Sequence, residues 1–369
     1  MGKGEMERLN QTLTVHLTNI HETLQLLDQT PASSLQKVSW DEVIKISEQL
    51  SKNATTAGML CTGEKVKVTV LEENMEAYFN VLQGLLLLAY GTTVGAGPTL
   101  TSNIHASIKQ VVDCSFLLWR ECVTSYGPSG SEKKCTIPQL AGTVWEACSS
   151  LKKTPATNIV AIGRAITQVA VSIKDVLREM KELEPCSSDP NSEAESQGQE
   201  SNISDVDADD EFGKDLSPEE MKVAQLAVVI VSELVTVIKE LIRSITGLLK
   251  KETRNHEHDG VESLEKLLKL CRGIGIQVDE LGACLYPPQE LSAITKSCKE
   301  LSDLIDEVSK ELDCLNGSTD AFSERCNTLK TALGVLKIEI SDSVAADAVR
   351  QNSSGLNVVE QMHNLAVND

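Results

Sequence analysis

Aromatic residues make up only 3% of the chain, which argues against a β-sandwich rich in Tyr, Phe and Trp and favours helices packing aliphatic ridges into grooves. Basic residues are also scarce. Thirty-four Lys and Arg face 54 Asp and Glu, for a net charge of −20, and such a chain repels phosphate backbones, so direct nucleic-acid binding is not expected. No run reaches the roughly 18 apolar residues of a membrane span; Leu85 to Tyr90 and Val223 to Val231 are the greasiest stretches. The first eight residues carry no signal-peptide core. A membrane role is therefore not expected.

Catalytic and metal signatures are equally sparse. The 11 cysteines include no C-x-x-C pair, so they read as reduced thiols, with Cys114, Cys148, Cys271, Cys298 and Cys326 acting as small core residues. His256-Glu257-His258-Asp259 is the only His and carboxylate cluster, but its histidines are two apart in a loop, not four apart on a helix face. Gly273-Ile274-Gly275 lacks a third glycine and a preceding strand, and Gly95-Ala96-Gly97 has no adjoining Lys-Ser/Thr. No cofactor, metal or catalytic residue is expected, and the chain reads as a non-enzyme.

What is present is helical periodicity. Leu291, Ile294, Cys298, Leu301, Ile305, Val308, Leu312 and Leu315 alternate three and four apart, as required of a helix that buries one face. The same spacing recurs from Ile159 to Leu183 and from Leu264 to Leu285. About ten helices are predicted, six of them near 6–29, 39–60, 65–91, 99–125, 137–152 and 155–184. Ser39 and Thr136 stand three residues before Glu42 and Gln139 as capping boxes, and Pro155 follows Thr154 at a first helical position.

From 185 to 216 the periodicity stops. Ten acids and one lysine are interspersed with serines, a composition that buries too little to offset ordering entropy and predicts a disordered acidic linker. Ser192 and Ser204 each have an acid three residues downstream, which makes them candidate phosphorylation sites for an acidophilic kinase. Order resumes at the Ser217-Pro218-Glu219-Glu220 capping box. Four helices follow, near 217–251, 260–286, 288–315 and 319–343, with loops short enough to impose antiparallel neighbours. Residues 344–369 read as a flexible polar tail with one short helix near 356–366.

The expected fold is therefore all-α: an N-terminal helical bundle over 1–184, a disordered acidic linker over 185–216, a C-terminal four-helix bundle over 217–343, and a tail over 344–369, with the division of helices between the halves open between six plus four and, if one N-terminal helix crosses over, five plus five. The core should be aliphatic throughout. The stripe Val223, Ala227, Ile230, Leu234, Val237, Leu241 and Leu248 is zipper-like, but Val231, Ile238, Ile242, Ile245 and Leu249 widen it beyond a two-stranded seam, so it reads as bundle interior. Leu312-Asp313-Cys314-Leu315-Asn316 approaches a retinoblastoma-pocket peptide but ends in Asn and sits on a core stripe.

Three segments carry a family resemblance. Val144-Trp145-Glu146-Ala147-Cys148, the stretch from Lys174-Asp175 to Glu179-Met180, and Asp279-Glu280-Leu281 running into Leu285-Tyr286-Pro287-Pro288 resemble the cyclin-D-binding protein (GCIP) family. In physical terms Trp145 reads as a large core filler and Tyr286-Pro287-Pro288 as a stop between helices; these positions mark kinship and leave the partner-binding surface unknown. The resemblance implies a cytoplasmic and nuclear protein that binds D-type cyclins and helix-loop-helix transcription factors and restrains cell-cycle entry or transcription. The competing reading is a cytoskeletal or signalling adaptor built from talin- or vinculin-like bundles.

Overall fold

The computed structural model describes residues 3–32, 34–63, 66–126, 136–185, 215–252 and 260–366. Ten α-helices dominate these residues: α1 (Lys3–Leu24), α2 (Trp40–Thr62), α3 (Val68–Thr92), α4 (Pro98–Ser125), α5 (Ile137–Ser150), α6 (Asn158–Lys181), α7 (Pro218–Glu252), α8 (Val261–Ala283), α9 (Leu291–Cys314) and α10 (Asp320–Ala366). The acidic segment 186–214, with Ser192 and Ser204, lies outside the described residues, as does the 256–259 histidine cluster. At the two ends of that acidic segment, β1 (Glu184–Pro185) and β2 (Asp215–Leu216) pair as a two-residue parallel ladder.

The described chain divides into two compact units, one of 1–162 with 254–265 and one of 163–253 with 266–369. The boundary thus falls inside α6 and not at 184, so of the two divisions the sequence leaves open, six plus four or five plus five, the second unit takes five helices. The reason lies in small residues on α8. A Cβ on Gly275 would stand 3.4 Å from Val169 Cγ1, and one on Gly282 would stand 3.0 Å from Val176 Cγ1, so the apolar stripe of α6 lies against α8. Without side chains at these two positions, α8 leaves room for Val169 and Val176 of α6 in the second unit.

In the second unit the predicted stripes are buried. Ile294, Cys298, Leu301, Ile305, Val308 and Leu312 of α9 face inward, as do Leu264, Leu267, Cys271, Ile274, Val278, Leu281 and Leu285 at α8. Helix α7 buries both flanks, Val223 through Leu241 and also Val231, Ile238 and Ile245, which is why no zipper face remains. Its Pro218–Leu248 span is long and apolar enough to cross a membrane by length and composition, contrary to the sequence reading, yet half of that window is buried within the protein. Interhelical pairs set the directions: Lys266 with Glu311 joins α8 to α9, Lys330 with Asp306 joins α10 to α9, and Lys222 with Glu339 joins α7 to α10. Each of these neighbours is antiparallel. Helix α10 continues to Ala366, so the predicted tail from 344 is helical up to that residue.

The first unit departs from the expected aliphatic core. Tyr78 and Phe79 of α3 meet Trp119 of α4 at ring-centroid distances of 5.5 and 6.1 Å, and Phe116 lies 6.4 Å from Phe79. The few aromatics are concentrated here because α3 and α4 are the central pair, each touching both α1 and α2. Tyr78 satisfies its hydroxyl on Ser115 at 2.7 Å, and Ser115 also donates to the Val111 carbonyl at 2.7 Å. The Tyr78 and Ser115 hydroxyls are thus paired within the core, whereas the buried Trp119 indole N–H has no hydrogen-bond partner.

Two loop expectations acquire physical form in the same unit. The glycine-rich turn before α4 is held by side chains: Gly97 N–H donates to Asn158 Oδ1 at 2.7 Å, and Asn158 Nδ2 returns a bond to the Gly95 carbonyl at 3.0 Å. Glu265 accepts from the Thr99 N–H at 2.8 Å and from its hydroxyl at 2.7 Å, placing a carboxylate at the positive N-terminal end of α4. Ser39 caps α2, but its hydroxyl oxygen accepts from the Asp41 N–H at 3.3 Å and not from Glu42 as a capping box requires, and the predicted box at Thr136 forms no side-chain cap bond.

Candidate interaction surface

The C-terminal ends of α6 and α8 enclose a hollow of about 240 Å³ lined by Val176, Glu179, Met180 and Leu183 on one side and Asp279, Gly282, Ala283 and Tyr286 on the other. Its lining is mostly aliphatic with two carboxylates, and Gly282 leaves open space that a side chain would fill, since a Cβ there would stand 3.0 Å from Val176 Cγ1. Tyr286 projects from the turn after α8 with 49% of its surface exposed. An amphipathic ring beside an apolar hollow is the kind of group that anchors a protein partner, since Tyr supplies large contact area with few rotamers to immobilise.

Two of the three segments singled out in the sequence meet here. Glu179 and Met180 belong to one, Asp279 and Tyr286 to another, and about a hundred residues separate them in the chain. Leu281 and Leu285 of the second string are buried beneath and fix the helix that presents Tyr286. Pro287 and Pro288 occupy the bends that follow, before α9 starts at Leu291.

The third segment lies in the first unit and corrects an expectation. Val144, Ala147 and Cys148 are buried on α5, but Trp145 is 46% exposed. It is not a core filler. Its ring rests along α2, where the indole N–H donates to the Ser51 carbonyl at 3.2 Å. Burial pushes the neighbouring Cys148 thiol up to about 11, a hydrogen bond with Ser51 opposing part of that rise, so this cysteine stays protonated and chemically quiet.

Comparison with known proteins decides the kinship. The N-terminal domain of the Grap2 and cyclin-D-interacting proteins matches residues 42–185, and their C-terminal domain matches residues 200–310. The chain belongs to the Grap2 and cyclin-D-interacting family. It is also similar to the cyclin-D1-binding protein 1 homolog of Xenopus laevis, with 22% identity over 237 residues, covering 63% of this chain and 66% of that relative. The chain thus spans a little under two thirds of the relative's length.

Elsewhere the sequence readings find ordinary structural explanations. Leu312 of the retinoblastoma-like string is buried, and Asn316 takes a left-handed φ of 50° to end α9. A Cβ on Gly273 would stand 3.4 Å from Leu304 Cδ2, so this glycine faces α9 within helix α8 and belongs to no nucleotide loop. Among the described residues no three His, Cys, Asp or Glu side chains converge as a metal set. What sequence reading missed is the exposed side of α7 and α10, where Val229 and Val335 fall outside every apolar stripe.

Proposed function

We propose that this protein is a non-enzymatic regulator that binds D-type cyclins and helix-loop-helix factors and thereby restrains cell-cycle progression or transcription in cytoplasm and nucleus. The observation that carries this reading is Tyr286, exposed over the α6/α8 hollow and inside the span that the family's C-terminal domain matches. Trp145 offers a second aromatic anchor on the first unit. Partner residues would pack an aliphatic side chain into the hollow and a donor against Glu179 or Asp279, the combination of apolar centre and polar rim found at protein interfaces.

The acidic character supports sequestration over DNA contact, because a −20 chain has no basic stretch to enter a major groove. Helix-loop-helix partners held by it would be kept from DNA. Phosphorylation of Ser192 and Ser204 would add further negative charge to the acidic segment. The test is binding of the full chain to purified D-type cyclin and to a purified helix-loop-helix protein, with Tyr286→Ala and Trp145→Ala as variants. Direct binding that weakens in either variant supports the reading; binding to neither partner across physiological salt overturns it.

A further inference from the structure

A second and larger groove, about 810 Å³, runs along the outer side of α7 and α10. One end is apolar: Val229 and Val335 leave about half their surface in solvent, with Ala332 between them and Ile338 exposed one turn beyond. The other end is acidic, lined by Glu233, Asp320 and Glu324, and no basic residue lines any part of the groove. Glu233 Oε2 is buried without a hydrogen-bond partner, an arrangement that costs free energy until a donor arrives. Because α7 pairs elsewhere with α10 through Lys222 and Glu339 at 2.7 Å, the two walls are held at fixed spacing. From Asp320 to Val335 the groove follows four turns of α10, about 22 Å, which suits a partner helix of about 15 residues.

We propose that the α7/α10 groove docks a basic amphipathic helix of a partner protein, with an Arg or Lys reaching Glu233 while aliphatic residues one to two turns away cover Val229 and Val335. Charge complementarity selects this occupant. An acidic or neutral helix would leave the Glu233 carboxylate buried beside unmatched groups, whereas a guanidinium supplies the missing donors and neutralises the acidic end. The arrangement is a helix-in-groove mode, in which the apolar stripe gives contact area and the charge at one end gives orientation. The proposal names the chemistry of a partner helix and does not depend on which of the partners above supplies it.

The test uses the full chain and a fluorescently labelled helical peptide of about 15 residues with two arginines in its first two turns and two leucines on the same face of its last two. A scrambled peptide of identical composition and charge separates groove binding from general attraction to an acidic protein. Fluorescence anisotropy at physiological salt should show binding of the patterned peptide only. Glu233→Gln should weaken it about tenfold or more, and Val335→Asp should weaken it although the variant is more acidic. Asp303→Asn, an exposed α9 residue outside the groove, makes the same charge change and should leave affinity unaltered. Equal binding of the scrambled peptide, equal weakening by Asp303→Asn, tighter binding by Val335→Asp, or no binding of either peptide would each overturn the proposal, with unchanged thermal unfolding of the variants showing that they remain folded.

Discussion

Glu220 and Gln289 are joined twice: the Gln289 backbone N–H donates to Glu220 Oε1 at 3.1 Å, and the Gln289 side-chain amide donates to the Glu220 carbonyl at 3.0 Å. The other Glu220 oxygen accepts from the Ser217 N–H at 3.0 Å, while the Ser217 hydroxyl oxygen accepts from the Glu220 N–H at 3.2 Å. One carboxylate thus closes the capping box of α7 and fastens the turn that follows Pro287 and Pro288.

Burial alone would raise the Glu220 pKa, but the bonds from Ser217 and Gln289 outweigh it and hold the carboxyl below its usual 4.5. A depressed carboxylate stabilises the fold fully above its unfolded value and loses that contribution as pH falls through the folded one. Glu220→Ala should therefore cost about 1–2 kcal/mol at neutral pH, the size of a lost cap with its tether. Urea unfolding should show the gap between wild type and variant closing below about pH 4.5; a gap independent of pH would refute the assignment.

Gly97 lies against the side chain that caps α4. A methyl group there would stand 2.7 Å from Glu265 Oε1 and 2.8 Å from Val261 Cγ1, so Gly97→Ala should destabilise by about 1–3 kcal/mol through overpacking. In a Glu265→Ala background part of that cost should vanish, because one of the two clashing groups is gone. Denaturant midpoints of the two single variants and the double variant measure the coupling, and strict additivity would rule it out.

The His16 imidazole stacks on Phe79 at 5.0 Å. Burial lowers its pKa below the usual 6.5, with Glu76 pulling the other way. The unfolded chain therefore takes up a proton that the folded one resists, so stability should decline as pH drops below about 6.5 and level off under the folded pKa. His16→Gln should flatten that part of the stability profile between pH 7 and 5. An unchanged slope would show that the decline originates elsewhere.

Cysteine reactivity should follow depth. Cys314 is exposed, whereas burial lifts Cys298 to about 11 and Cys271 to about 12. Brief iodoacetamide treatment at pH 8 should label Cys314 and spare Cys271 and Cys298, since the thiolate is the reacting species. Peptide mass spectrometry reads the pattern, and early labelling of Cys271 would mean that the second unit opens readily.

Period and capping chemistry made most of this fold legible in the sequence. The stripes of α6, α8 and α9 were readable because burial on one face forces three-four spacing, and Ser217 with Glu220 announced a helix start that the hydrogen bonds bear out. The membership of α6 was not readable. Its stripe would suit either unit, and the choice depends on Gly275 and Gly282 of α8, which no local rule connects with Val169 and Val176. Trp145 misled for a related reason: α5 buries Val144, Ala147 and Cys148, and residue type alone does not say which side of so short a helix faces out. The Tyr286 string was identified by kinship, but its meeting with Glu179 and Met180 required the third dimension.

The ladder between β1 and β2 has a mechanical corollary. Glu184 pairs with Asp215 and Pro185 with Leu216, so the described chain on either side of the excursion in numbering from 186 to 214, 29 residues, is held one strand spacing apart, about 4.8 Å. Helices on both sides of that excursion, α6 before it and α7 after it, belong to the same compact unit. A single protease nick anywhere in the excursion should therefore yield two fragments that still migrate as one particle, parting only in denaturant.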